Sequence, residues 1–198
     1  LRVERLAGDI DRLSAAYGAN GSVMIRRRAR AAVEITGLGR TGALLARALA
    51  TAGVGTLLLS DPGVVLPADL GPAFALTDLG MRRAQAVKRH IYRVDPTVQV
   101  LVAPDVTPGT RNAHLDLAIC VGKPPLAGRS AGSPAREHPH LTVTVQETGT
   151  DIGPLVVPGL TPCLECYERQ LADGDSTWYD AADALDRRQI EAAPAGEE

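Results

Sequence analysis

Aromatic side chains are nearly missing from this sequence: one Trp, four Tyr and one Phe, or 3% of 198 residues. Because 45% of the chain is nonetheless hydrophobic, its core must be aliphatic, built from Leu, Val, Ile and Ala. Lysine is equally scarce, confined to Lys88 and Lys123, so arginine carries the positive charge. Neither sign dominates. The net charge of −2 gives no reason to expect nucleic acid or an anionic membrane as the main partner. No apolar run approaches the roughly 20 residues that span a bilayer, and no secretory signal is visible. Three cysteines are too few for a disulfide scaffold and fit a reducing compartment. A soluble, cytoplasmic protein is the expectation. The length suits one domain with a sizeable core and is short for two.

What is present is an alternation of strand-length and helix-length patterns. Leu6, Ile10 and Leu13 stand near helical spacing, and Asn20-Gly21 marks a break. The cluster Arg26, Arg27, Arg28 and Arg30 reads as a solvated entry to a short buried strand over 31–36. Residues 41–52 follow as a helix ending at Gly53, and 54–60 as a continuous apolar run suited to a strand buried on both faces. A helix capped by Asp78 is expected over 78–92, with Asp95-Pro96 closing it. Further strands are expected over 98–103, 115–121 and 141–146, the last two separated by a long Pro-, Gly- and Ser-rich loop. This order predicts an α/β, doubly wound, Rossmann-like and mostly parallel sheet flanked by helices, with a short N-terminal helix.

At the first strand-to-helix junction stands Gly37-Leu38-Gly39-Arg40-Thr41-Gly42, the G-x-G-x-x-G pattern in the context that gives it meaning. Gly37 permits a tight turn, Gly39 lets a phosphate approach the backbone, and Gly42 lets the helix pack closely. Free amides at the helix start favour an anion. Asp61, ending the second strand, is placed to hydrogen-bond a ribose hydroxyl. The pattern does not choose between NAD and ATP, and a glycine turn that has lost its ligand would look the same.

The longer succession AGVGTLLLSD, ADL, DLGMRRAQAVKRHIYRVDPTVQV and GPLVVPGLTPCLECYER resembles the ThiF/MoeB family of ubiquitin-activating-like adenylyltransferases over about residues 30–169. The resemblance implies ATP binding, activation of a C-terminal carboxylate of a small ubiquitin-like protein as an acyl adenylate, a homodimer and a structural zinc. Pro158 to Cys166, PGLTPCLEC, is similar to a divergent bacterial branch found beside enzymes that install azoline rings in ribosomal peptides. In that branch the domain helps to recruit a leader peptide, commonly through an additional N-terminal module for which residues 1–30 are too short.

Departures from the family pattern fall on polar and charged positions. Asp61 keeps the ribose acid, but Gly63 replaces a second acid, Asp69 an Asn, and Pro72 and Ala73 an Arg and a Gln. Proline cannot supply even an N–H in compensation. Arg83 stands for the lysine of G-x-x-K, a planar fork in place of a point charge. Lys123 aligns near the expected Mg²⁺-holding acid, where it would repel the metal or neutralise a phosphate itself. The resemblance therefore implies a nucleotide site comprising Gly37, Gly39, Arg40, Gly42, Asp61, Arg83 and Lys123, with catalytic residues unassigned and the role of Mg²⁺ open.

Cys163 and Cys166 have the spacing of half a zinc site; the family completes it with a second, downstream pair that has no counterpart here. A redox pair is the rival reading, without an adjacent base to support it. Cys120, in an apolar strand, reads as core, while His138 and His140 read as a solvated loop and His90 and His114 as structural. The expected organisation is an N-terminal helix and basic strand entry over 1–30, a nucleotide-binding domain over 31–187 and a disordered tail over 188–198. Three functions remain open: an ATP-binding activating domain with weakened or lost adenylation, a non-catalytic scaffold recruiting a peptide or small protein, and an NAD(P)-binding oxidoreductase.

Overall fold

A computed structural model of the chain describes residues 2–103, 115–122, 137–145 and 148–180. Its centre is a six-stranded sheet in the order β3-β2-β1-β4-β5-β6. The strands are β1 (Ala32–Thr36), β2 (Thr56–Ser60), β3 (Gln99–Val102), β4 (Leu117–Val121), β5 (His140–Val145) and β6 (Thr150–Val156). The first five run parallel, and β6 pairs antiparallel with β5. The doubly wound, mostly parallel architecture expected from the sequence is present.

Burial explains why these segments are strands. Leu57, Leu58 and Leu59 are all buried, as a strand covered on both faces requires. Against β1 packs α4 (Arg40–Thr51), whose buried positions Ala43, Ala46 and Ala50 follow helical spacing. Short side chains on that face let the helix lie close to the sheet. Next to it lies α5 (Arg83–Val94), burying Ala84, Val87 and Ile91. Phe74 is buried in the same core.

Three sequence expectations are corrected here. The N-terminal stretch forms three helices, α1 (Arg2–Arg5), α2 (Ala7–Tyr17) and α3 (Gly21–Arg28). Asn20 is a break that also caps α3, its side chain accepting the Ser22 N–H at 2.9 Å. Arg26, Arg27 and Arg28 therefore close a helix rather than enter a strand, and cations there complement the helix dipole. The arm is tied down by buried Leu6, against which a Cβ on Gly53 would come within 3.1 Å, and by the Arg5–Asp95 pair at 2.7 Å.

Asp78 does not cap α5, which begins at Arg83. Asp78 ends a 3-10 turn (Leu76–Asp78) and is fully buried. Its carboxylate accepts the Ala75 N–H at 2.7 Å, stands 2.8 Å from His90 Nε2 and pairs with Arg89. The local signal for a cap was real, but the carboxylate serves a buried cluster that fixes the turn leading into α5. His90, structural as expected, has a partner that the sequence did not reveal.

His140 opens β5 and is buried, with Nδ1 3.0 Å from the His138 carbonyl, rather than belonging to a solvated loop. Beyond it, β6 and α6 (Leu164–Gly174) were not anticipated. Gly153 and Pro154 inside β6 read as breakers, yet an edge strand tolerates a residue without an N–H. His114, most of the long loop and the tail over 188–198 lie outside the described residues.

Candidate functional site

Strand order reverses between β1 and β4, where successive connections leave in opposite directions along the sheet. In open α/β sheets the crevice at the carboxyl ends of such strands is the usual ligand position. The glycine loop occupies this place. Gly37 follows β1 with a φ of 83° and donates its N–H to the Ser60 carbonyl at 3.0 Å. A Cβ on Gly37 would lie 2.0 Å from the Val121 carbonyl oxygen at the end of β4, and one on Gly42 would lie 2.0 Å from the Gly37 oxygen. Both glycines are thus dictated by close backbone approach. Gly39 differs: among the described residues, a Cβ there would meet nothing within 4 Å.

Gly39 is the N-cap of α4, and Ala43 N–H makes the first intrahelical bond, to Gly39 O at 2.9 Å. The amides of Arg40, Thr41 and Gly42 precede it. They form the positive end of the helix, which favours an anion. Arg40 is exposed at this end.

Asp61 leaves β2 and turns toward the loop. Its Oδ2 accepts the Leu38 N–H at 2.6 Å and its Oδ1 accepts the Gly63 N–H at 2.7 Å. Only 6% of its side chain is exposed. Arg83, the first residue of α5, stands behind it with Nη1 3.6 Å from Asp61 Oδ1. The same guanidinium donates from Nε at 3.1 Å and from Nη2 at 2.8 Å to Asp69 Oδ2. A Cβ on Gly63 would sit 2.8 Å from Arg83 Nη1, so a side chain there would push on the guanidinium.

The structure therefore brings Gly37, Gly39, Arg40, Gly42, Asp61 and Arg83 to one end of the sheet. Lys123 lies outside the described residues. Asp69 is the group that sequence reasoning missed as a partner. The available signal was the joint replacement of a neutral Asn by Asp69 and of a lysine by Arg83. Of Pro72 and Ala73, Ala73 is buried in the core, while Pro72 is exposed and its carbonyl accepts Arg47 Nη1 at 2.7 Å.

Cys163 caps α6 and Cys166 lies in its first turn, both exposed, with sulfurs 3.5 Å apart. Two thiolates about 2.3 Å from a shared zinc would stand at a similar separation, so the pair fits half of a tetrahedral site. Among the described residues no group of three or more His, Cys, Asp or Glu side chains is arranged to hold a metal ion. The Cys166 backbone N–H and then its side chain hold the Cys163 thiol below its usual range. Burial, with Glu34 adding to it, pushes the Cys120 thiol up.

The profile of the ThiF family matches residues 12–189. The chain belongs to the ThiF family. Among solved structures it is similar to E. coli MccB with AMPCPP and MccA, at 19% identity and a TM-score of 0.69, covering 86% of this chain and 56% of that one. E. coli MccB with ATP gives 21% identity and a TM-score of 0.63, covering 83% and 52%. PaaA gives 23% identity and a TM-score of 0.67, covering 80% and 52%. At these identities the likeness is one of fold, and this ThiF-family chain spans about half the length of those proteins. A comparison with curated protein sequences gave no match. Among the described residues no helix is long and apolar enough to cross a membrane.

Proposed function

We propose that this ThiF-family chain is the nucleotide-binding core of an activating domain of the adenylyltransferase type, with weakened or lost catalysis. In this reading it binds ATP and acts in the cytoplasm, as a homodimer, on the C-terminal carboxylate of a peptide or small protein. The observation that carries the proposal is the Asp61–Leu38 contact, which sets a carboxylate beside Gly39 and the first-turn amides of α4. A ribose offers hydroxyls to the carboxylate, and the helix start offers donors to a phosphate. The MccB structures with ATP and with AMPCPP and MccA support a nucleotide and a peptide as the two ligands.

ATP would supply the electrophilic phosphorus. The chain's own groups would orient the sugar and one phosphate and hold that end of the nucleotide against the sheet. Charge neutralisation during attack by a carboxylate needs cations facing the phosphates. Arg83 is engaged by two carboxylates, which is why catalysis is placed below binding. That engagement also favours a second reading, a scaffold that recruits a peptide without activating it.

Calorimetric titration of the full-length protein with ATP·Mg²⁺ and with NAD tests the reading. Heat with ATP is expected. Binding of NAD but not ATP would point to an oxidoreductase, and pyrophosphate exchange driven by a Gly-ended peptide separates the enzyme from the scaffold.

A further inference from the structure

Arg83 has two of its five N–H groups turned inward onto one carboxylate oxygen. Two of its N–H groups converge on Asp69 Oδ2, at 3.1 and 2.8 Å, and Nη1 stands 3.6 Å from Asp61 Oδ1. Asp69 is itself fixed, because the same oxygen accepts the Leu66 N–H at 2.9 Å at the end of the 3-10 turn Pro67–Asp69. The guanidinium side chain is 22% exposed and the Asp69 side chain 12%. Release of Arg83 toward a ligand would strip this sheltered carboxylate of its cation, an unfavourable exchange for a group only 12% exposed.

The charge balance points the same way. Asp61, Asp69 and Arg83 together carry one net negative charge at the end of β2, beside the glycine loop. A single phosphate can be met by the amides ahead of Ala43 and by exposed Arg40. A second and third phosphate would add negative charge without gaining the Arg83 guanidinium.

We infer that Asp69 is a specificity-determining residue: it withdraws Arg83 from phosphate binding, so that the site holds a nucleoside monophosphate unit and gains little from further phosphates. The inference rests on the nucleotide reading above. Asp69 acts through Arg83 and touches no ligand itself.

Titration of the full chain with AMP, ADP and ATP in magnesium-free buffer tests it. AMP and ATP are expected to bind the wild-type protein with dissociation constants within about threefold of one another. Asp69→Asn weakens the hold on Arg83 and is expected to tighten ATP about tenfold relative to AMP. A wild-type preference for ATP above about tenfold overturns the inference while leaving nucleotide binding intact. An unchanged ratio in folded Asp69→Asn overturns it as well. The wild-type ratio decides the matter even if the variant fails to fold. Failure of all three nucleotides to bind removes the nucleotide reading, and this inference with it.

Discussion

Asp61 and Leu38 are joined across two strand ends: the carboxylate of one accepts the backbone N–H of the other at 2.6 Å. The contact stitches the end of β2 to the glycine loop, while the second oxygen holds Gly63 N–H at 2.7 Å. Asp61→Ala strands both amides and removes one partner of Arg83. A loss of roughly 2–4 kcal/mol is expected in urea denaturation, together with loss of nucleotide binding. Asp61→Asn keeps one of the two acceptor oxygens and turns an NH2 toward the other amide, and should cost about 1–2 kcal/mol. An Asp61→Ala protein as stable as the parent would show that the loop does not depend on this stitch.

The glycines separate folding from binding. Gly37→Ala drives a Cβ to 2.0 Å from Val121 O at a φ of 83°, and Gly42→Ala does the same to Gly37 O. Each should cost about 2 kcal/mol or more, because backbone and not a flexible side chain blocks the space. Gly39→Ala meets no atom of the described residues within 4 Å, at a φ of −61° that any residue accepts. Its fold should survive with a change within about 0.5 kcal/mol, while nucleotide affinity falls about tenfold as the methyl meets the incoming phosphate. Thermal melts paired with calorimetry distinguish these outcomes. Unimpaired binding by Gly39→Ala would move the ligand away from the loop.

Much of this arrangement was legible in the sequence because its causes are local. An apolar run followed by a glycine turn and an Ala-rich helix specifies β1, the loop and α4 through short-range sterics, and Asp61 is found by its place at the end of the next strand. The Asp78 cluster was hidden because a carboxylate three residues from Ala75 and twelve from His90 looks like any helix cap until α5 is folded against it. Asp69 was read as a lost Asn because pairing with Arg83 spans fourteen residues and depends on Gly63 leaving room. β6 escaped because Gly153-Pro154 is a poor strand signal everywhere except at an edge.

Asp78 makes stability depend on acid. Burial pushes its carboxyl upward most strongly, but the Ala75 N–H, His90 and Arg89 together bring it below the ordinary 3.8. The folded state therefore holds the proton less tightly than the unfolded state. The resulting stabilisation is complete above 3.8 and is lost as pH falls through the lower folded value. Asp78→Asn should cost about 3–5 kcal/mol near neutrality, since it leaves buried partners unmatched, and should flatten the acid limb of a stability–pH curve. An acid limb identical in variant and parent would assign that dependence to other carboxylates.

Cys163 and Cys120 should differ in reactivity for opposite reasons. The Cys166 backbone N–H favours the Cys163 thiolate in an exposed position, whereas burial disfavours the Cys120 thiolate. Since the thiolate is the nucleophile, iodoacetamide near neutral pH should modify Cys163 at least about tenfold faster than Cys120, read by peptide mass spectrometry over time. Equal rates would mean that the β4 thiol is reached as freely as the helix cap. Zinc gives the same measurement a second use. If the sulfurs 3.5 Å apart complete a metal site with further ligands, excess zinc should slow Cys163 and Cys166 together, because a metal-bound thiolate is a poorer nucleophile. An unchanged Cys163 rate in excess zinc rejects the metal reading, whereas joint protection requires two more ligands to be found.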